Sequence, residues 1–344
     1  MIVFIIAGGS GTRLWPLSTP EYPKHLLKLT DENSLLQNTY DRASQLTSTD
    51  KIFVVSEKSH IEHVYSQLGD LPKENILVEP ARRGTASCIL LALAELYKRS
   101  VDKNEAVLFL WADHIIRDTD GFTATMLRAG EITEEDNKLV FVGVEPTYPS
   151  TGLGYIKKGS KLNGWVSAYV FEGFKEKPDR KTATAYFKSG KYLWNTGYLV
   201  GTREAFETEF DTVALSMKKD YERLKAAKDI EAAYLDCENV AVDYVLSEKV
   251  KEAGVVPGGF DWADVGSFHD LHEMSEQDEN GNHFRGENIE TELASNCYVR
   301  NDTETPVAVI GVDNVVVVNT PSGILVTNKN HAQKVGEVSK RFKK

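Results

Sequence analysis

The sequence predicts an α/β fold: a mixed, mainly parallel sheet interleaved with helices over residues 1 to about 270, followed by a small β-rich tail. Three observations predict it. Met1–Ala7 is a continuous apolar run that ends abruptly in Gly8-Gly9-Ser10-Gly11, as a strand covered on both faces would. Short apolar runs then alternate with helix-like segments, the mark of βαβ units. From about Asn296 the Val/Ile runs shorten, with Asp, Asn, Thr, Pro and Gly between them.

Taken in order, the strand-like runs after the first are Lys51–Ser56, Asn75–Val78, Ala106–Ala112 and Leu139–Val144. The helix-like segments between them are Leu35–Leu46, Ser59–Leu68, Thr85–Arg99 and Phe122–Ile132. Thr85–Arg99 is the clearest, rich in Ala, Leu and Ile, with a basic end that suits the helix dipole. Past Pro149 the pattern loosens. Tyr155–Lys158 and Val166–Phe174 alternate in polarity as strands do, and Phe206–Ala227 predicts one charged surface helix. Residues 271–295, acidic and polar, are expected to link the main domain to a β-rich domain over 296–344, with short strands at Val307–Val312, Val315–Asn319 and Gly323–Thr327. No internal repeat is evident.

The chain has 344 residues, room for roughly two domains of about 150 residues or one large domain with an appendage. Its net charge of -11 argues against general nucleic-acid binding, which needs a basic surplus. It does not exclude small anions, because a few cations focused in a cleft override the global sign. Cys88, Cys237 and Cys297 have neither metal-ligand spacing nor an even count, so no disulfide framework is implied, and Cys88 is expected to be a buried structural thiol. No apolar stretch reaches the roughly 18 residues that span a bilayer, and no leader is evident at the N-terminus. A cytoplasmic protein without a membrane partner is expected.

Chemistry concentrates first in Ala7-Gly8-Gly9-Ser10-Gly11-Thr12-Arg13. Glycines admit an anion close to the backbone, and consecutive N–H groups can wrap phosphate oxygens. A P-loop would need Gly-Lys-Ser/Thr, and the dinucleotide pattern would need a glycine where Leu14 stands. Downstream, Pro23 fixes the backbone ahead of Lys24, whose ammonium can serve the same anion.

The run Ala-Gly-Gly-x-Gly-Thr-Arg-Leu-Trp-Pro-Leu-Ser followed by Pro23-Lys24 resembles the signature of the sugar-1-phosphate nucleotidyltransferases. Trp15-Pro16-Leu17-Ser18 is similar to their mannose-1-phosphate guanylyltransferase branch. Further blocks follow in the family's order: Glu79-Pro80…Arg83-Gly84-Thr85-Ala86, Ala112-Asp113-His114, Gly152-Leu153-Gly154-Tyr155-Ile156 and Phe174–Pro178, then Trp194-Asn195-Thr196-Gly197, Val242-Asp243-Tyr244 and Phe260–Ser267. Together they span residues 1 to about 335.

The resemblance implies a Rossmann-like nucleotidyltransferase domain and, in the tail, a short left-handed β-helix-like segment. It implies transfer of GMP from GTP to α-D-mannose 1-phosphate, with Mg²⁺ as cofactor. The sequence does not reveal the oligomeric state, and a homodimer is the assembly to test. Ala7, Gly8, Gly9, Gly11, Thr12, Arg13 and Lys24 would hold the triphosphate, and Glu79, Arg83, Gly84 and Thr85 would lie at the nucleotide. Asp113 and Asp264 would hold the metal, Asp113 also lying at the nucleotide, and Arg13, Lys24, Asp113 and Asp264 would be the catalytic set. His114 would be a neighbour of that site. Gly154, Glu176, Lys177, Asn195 and Asp243 would hold the sugar phosphate. Two carboxylates from distant segments suit Mg²⁺, which takes few protein ligands.

The chain departs from the family's usual Arg-Asn-Thr-Ala-Pro at Arg83-Gly84-Thr85-Ala86-Ser87, from its Gln at His25, and from its Pro before Ala112. These changes bear on guanine preference and leave the proposed metal carboxylates and Lys24 intact. The alternatives are another hexose-1-phosphate nucleotidyltransferase, using glucose 1-phosphate with dTTP or UTP, and a catalytically silent subunit that binds nucleotide sugars. Larger relatives carry a cupin-like isomerase domain; in the 344 residues here neither that domain nor isomerase activity is expected.

Overall fold

The structure, a computed structural model, describes residues 1–9 and 12–342. The chain begins β1 (Ile2–Ala7), α1 (Leu35–Ser44), β2 (Ile52–Glu57), α2 (Ile61–Gln67), β3 (Ile76–Glu79), α3 (Gly84–Lys98), β4 (Ala106–Trp111). It continues with β5 (His114–Ile115), α4 (Thr119–Asp136), β6 (Leu139–Val144), β7 (Tyr155–Lys161), β8 (Tyr169–Lys175), α5 (Arg180–Ser189), β9 (Tyr192–Thr202). Then come α6 (Arg203–Thr212), α7 (Leu215–Ala226), α8 (Ile230–Leu235), β10 (Ala253–Pro257), β11 (Ala263–Asp264) and α9 (Phe268–Met274). The last part holds β12 (His283–Gly286), β13 (Ile289–Glu292), β14 (Tyr298–Asn301), β15 (Val307–Ile310), β16 (Val315–Thr320), β17 (Gly323–Asn328) and α10 (Val335–Ser339).

Two compact units are built from interleaved stretches. One comprises Met1–Ala7, Thr39–Ala112 and Ile116–Trp262; the other comprises Gly8–Asn38, Asp113–Ile115 and Ala263–Lys344. The units do not follow a division of the chain at residue 270.

The first unit holds a nine-stranded sheet in the order β3-β2-β1-β4-β9-β6-β10-β8-β7. β1 pairs parallel with β2 and β4, and β2 with β3. β9 runs antiparallel between β4 and β6, and β8 antiparallel to β7 and β10. The sheet is therefore mixed, with β8 and β9 set against the common direction. All six residues of β1 are buried, which explains their unbroken apolarity. Phe4 on β1 stacks on Phe53 and Phe109 of the neighbouring strands, with centroids 4.9 and 5.6 Å apart. Asp118 caps α4 by accepting from Gly121 N, and Asn137 ends it in the left-handed region.

The single helix expected over Phe206–Ala227 is two, α6 and α7, broken at Val213-Ala214. Phe206, Phe210, Ala214, Met217, Tyr221 and Leu224 are all buried in one core. Their near-helical spacing runs straight through the break, so periodicity alone could not reveal it.

In the second unit a two-residue ribbon pairs β5 with β11, matching His114 to Asp264 and Ile115 to Ala263. The tail is a stack of parallel rungs: β12, β14 and β16 form one face, and β13 with β15 another. β17 closes the first face antiparallel. Successive rungs are joined by side-chain ladders: Asn314 Oδ1 accepts from Asn296 at 3.1 Å and Asn301 Oδ1 from Asn319 at 3.0 Å, each across 18 residues. Residues 271–295, expected as a linker, carry the end of α9 and strands β12 and β13. Their polar sequence is that of an outer rung, whose side chains largely face water.

The core of this unit joins Leu14, Leu17, Leu27 and Leu29 to Ile115, Val265, Phe268 and Leu271, and both groups to Tyr298, Val316, Val318, Ala332 and Val335. Arg285 and Arg300 add hydrogen bonds to the main-chain oxygens of Leu29 (2.6 Å) and Lys28 (3.2 Å). The described cysteines are all buried and unbridged, and burial pushes the Cys88 thiol far up, as a structural thiol requires.

Candidate active site

Lys24 starts a short 3-10 turn, Lys24–Leu26, behind Pro23, whose extended backbone (φ -73°, ψ 169°) turns the chain inward. The lysine is buried, and its Nζ lies 3.1 Å from Asp113 Oδ2 and 2.9 Å from Asp264 Oδ1. The β5–β11 ribbon explains the convergence. Asp264 pairs with His114, which places Asp113, one residue earlier, beside it. Three groups separated by 89 and 240 residues in sequence thus share one contact.

Burial by itself would raise both carboxyls. For Asp264 the Lys24 ammonium outweighs it, helped by His114 and Arg13, and holds the carboxyl far below the usual range. For Asp113 burial and the Asp264 charge both raise, yet Lys24 and His114 still bring the net shift down. Burial opposes the Lys24 charge, but the two carboxylates prevail and its pKa is raised. All three are charged at neutral pH.

Beside this triad a cleft of about 270 Å³ is lined by Gly8, Gly9, Thr12, Arg13, Leu14, Lys24, Asp113 and Val265. Gly9 has φ +109°, and an added Cβ at Gly8 or Gly9 would meet nothing within 4 Å. The backbone is open to an approaching anion there. Ala7 is buried at the end of β1, its carbonyl accepting from Ser56 Oγ at 3.0 Å. Gly11 lies outside the described residues. Leu14 and Val265 also line the cleft; sequence reading missed them because an apolar residue beside a motif gives no signal of its own.

Around α3 the structure gives several expected nucleotide residues internal partners. Glu79 is buried and accepts from Tyr234 OH at 2.8 Å and from Arg83 N at 3.3 Å. The Arg83 carbonyl accepts from Val240 N at 3.3 Å, and Thr85 Oγ1 from Val242 N at 2.9 Å. Gly84 has φ +78°, and a Cβ there would stand 2.3 Å from the Val240 carbonyl oxygen. This site has room for a backbone and no side chain.

The five expected sugar-side residues gather within the first unit. Gly154 O accepts from Asn195 N at 2.8 Å, and a Cβ on Gly154 would fall 2.6 Å from Glu176 Oε2. Asn195 Nδ2 lies 3.4 Å from Asp243 Oδ1, and Lys177 Nζ 2.7 Å from Glu176 Oε1. Burial and the Glu176 charge push the Asp243 carboxyl up to about 6.

Among the described residues no set of three or more His, Cys, Asp or Glu side chains is placed to hold a metal. A cation at Asp113 and Asp264 would therefore take two protein carboxylates and complete its shell with water and phosphate oxygens. That donor set fits Mg²⁺, and the site already gathers positive charge between the same two oxygens.

A family model described as nucleotidyl transferase matches residues 2–281, and one described as a MannoseP isomerase/GMP-like beta-helix domain matches residues 286–342. A mannose-1-phosphate guanylyltransferase of Salmonella montevideo is 36% identical over 352 residues, covering 98% of this chain and 73% of its own. One of Escherichia coli strain K12 is 36% identical over 351 residues, with the same coverage. A solved structure from Thermus thermophilus, described as a mannose-1-phosphate geranyltransferase, superposes with a TM-score of 0.90 at 32% identity, covering 99% of this chain and 98% of that one. A UDP-glucose pyrophosphorylase in complex with UDP-glucose (TM-score 0.51, 16% identity, 79% and 97% covered) shares the fold alone.

Proposed function

The chain belongs to the nucleotidyl transferase family, and on that premise we propose that it transfers GMP from GTP to α-D-mannose 1-phosphate, forming GDP-mannose and pyrophosphate. The observation that carries the reading is the convergence of Asp113 and Asp264 on Lys24 beside the glycine-lined cleft. Joining two polyanions is opposed by their repulsion, so catalysis is chiefly positioning and charge.

A phosphate oxygen of the sugar phosphate attacks the α-phosphorus of GTP in line. The bond to the bridging oxygen of the β-phosphate breaks, and pyrophosphate leaves with that electron pair. Gly8, Gly9, Thr12 and Arg13 hold the triphosphate, and the Arg13 and Lys24 charges offset what builds on pyrophosphate. Asp113 and Asp264 would hold Mg²⁺, which when bound neutralises phosphate charge. Glu176 and Asn195 accept and donate to sugar hydroxyls, Lys177 pairs with the sugar's phosphate, and Asp243 completes that cluster. Near Gly84 the base is met by backbone. No described helix is long and apolar enough to cross a membrane, and a reaction that draws on free nucleoside triphosphate and sugar phosphate favours a cytoplasmic setting.

Pyrophosphate release across a panel of triphosphates and sugar 1-phosphates tests this. GTP with mannose 1-phosphate is expected to give the highest kcat/KM; a preference for dTTP or UTP with glucose 1-phosphate would overturn the substrate assignment. Binding of GDP-mannose with no release under any pair would mark a silent subunit. Removing divalent ions with EDTA is expected to abolish turnover, and added Mg²⁺ to restore it.

A further inference from the structure

Arg13 runs between two glycines that are far apart in the chain. An added Cβ on Gly266, two residues past Asp264, would stand 3.0 Å from Arg13 Nη1. One on Gly336, in α10, would stand 3.2 Å from Arg13 Cγ, 3.6 Å from its Cα and 3.7 Å from its N. The guanidinium end is thus bounded by the metal-side loop, while the stem and backbone rest on the C-terminal helix.

That helix is itself fixed. Val335 is buried in the core that includes Leu14, and Ser339 Oγ donates to the Thr12 carbonyl at 3.4 Å. Phe342 stacks on Trp15 with centroids 4.8 Å apart, and Gly323 lies against the same indole. At the root of the segment, Lys329 is buried with Nζ 2.7 Å from His272 Nδ1 and 2.6 Å from Asn296 Oδ1. His272 Nε2 donates to the Gly281 carbonyl at 2.9 Å, which leaves Nδ1 to accept from the ammonium. Lys329 therefore ties the C-terminal segment to α9, the helix that follows the Asp264 loop, and to a corner of the rungs.

We propose that the C-terminal segment Lys329–Phe342 is a brace for the phosphate loop, and that Gly336 is a positioning residue which sets where Arg13 meets the triphosphate. The proposal rests on the reading of Thr12 and Arg13 as triphosphate ligands, and it does not depend on which base or sugar is used. A side chain at 336 would displace the Arg13 stem in proportion to its size. An alanine would also favour the helix, since glycine is the weaker helix former. Folding and phosphate binding should therefore move in opposite directions in that variant, which a merely structural role would not produce.

The test uses the full chain with Gly336→Ala and Gly336→Val. Binding of tripolyphosphate with Mg²⁺, which carries neither base nor sugar, is measured by calorimetry, together with both KM values and Tm. Displacements of a few tenths of an ångström are expected to weaken tripolyphosphate about threefold for alanine and about tenfold for valine, with GTP KM following. The KM for mannose 1-phosphate should stay within about twofold and the alanine Tm at or above that of the wild type. Unchanged tripolyphosphate affinity in both variants overturns the brace. So does a loss that tracks Tm and both substrates alike, and so does a wild type that does not bind tripolyphosphate. If valine prevents folding, the alanine variant decides. A wild type that binds tripolyphosphate but does not turn over GTP with mannose 1-phosphate sinks the substrate reading and leaves the brace supported, provided the graded loss is present.

Discussion

At the scale of single residues, charge decides what the site can do. Lys24, Asp113 and Asp264 are each ordinary in sequence, and only their meeting at 2.9 and 3.1 Å makes them a site. Asp264→Asn keeps the shape and removes one charge. It is expected to lower pyrophosphate release by about 10²-fold or more in a protein that still folds; unchanged turnover would remove Asp264 from the site. Asp243 gives a pH prediction. Its carboxyl rises from the ordinary 3.8 to about 6 on folding, so the folded state binds the extra proton between those values. The stabilisation is full below about pH 4 and is lost as pH rises through 6. Asp243→Asn should therefore raise stability relative to wild type above pH 6, by at most about 3 kcal/mol, with the gap closing near pH 4. Urea unfolding at pH 4 and 7.5 checks it, and an equal gap at both would refute it. The glycine loop was legible as a candidate anion cradle from its own residues, whereas Lys24, Asp113 and Asp264 stood out only as members of ordered motif blocks that resemble the family's. The internal ties of Glu79 and Thr85 were not, because their partners, Tyr234 and Val242, are distant in sequence.

At the scale of elements, the start of α3 shows how backbone shape limits substitution. Gly84 has a left-handed φ and faces the Val240 carbonyl, so Gly84→Ala combines strain with overlap. It is expected to cost about 2 kcal/mol or more, read as a lower urea midpoint; a loss below about 0.5 kcal/mol would contradict the geometry. The parallel strands β1, β2 and β4 were evident in sequence because burial on both faces makes each a largely apolar run. α6 and α7 read as one helix because their apolar spacing ignores the break. The later strands of the tail were legible as short Val/Ile runs, and the family resemblance implied a β-helix-like segment. The repeat itself was not evident, because an 18-residue step repeats hydrogen-bonding geometry and a few Asn ladders, with little identity between rungs.

At the scale of the whole molecule, the family boundary near residues 281–286 is not an energetic one. Tyr298, Val316, Val318, Ala332 and Val335 share a core with Leu14, Leu17, Val265 and Phe268. Uncovering side chains of this size costs roughly 1.5–3 kcal/mol each, so losing several approaches the whole stability of a typical domain. A chain ended after Asn282 is therefore expected to lose soluble yield and all turnover; a soluble, active fragment would refute the shared core.

The sequence by itself carried the α/β pattern of the first part and the glycine loop as a candidate anion cradle. Its ordered motif blocks singled out Lys24, Asp113 and Asp264 by resemblance. Each of these signals is written in neighbouring residues. Tertiary structure alone decided that Lys24, Asp113 and Asp264 meet, that α3 begins against Val240, and that the C-terminal helix lies on Arg13. Contacts between distant segments depend on strand register and on which surfaces bury one another. Those are collective properties of the packed chain, and no short stretch of sequence encodes them.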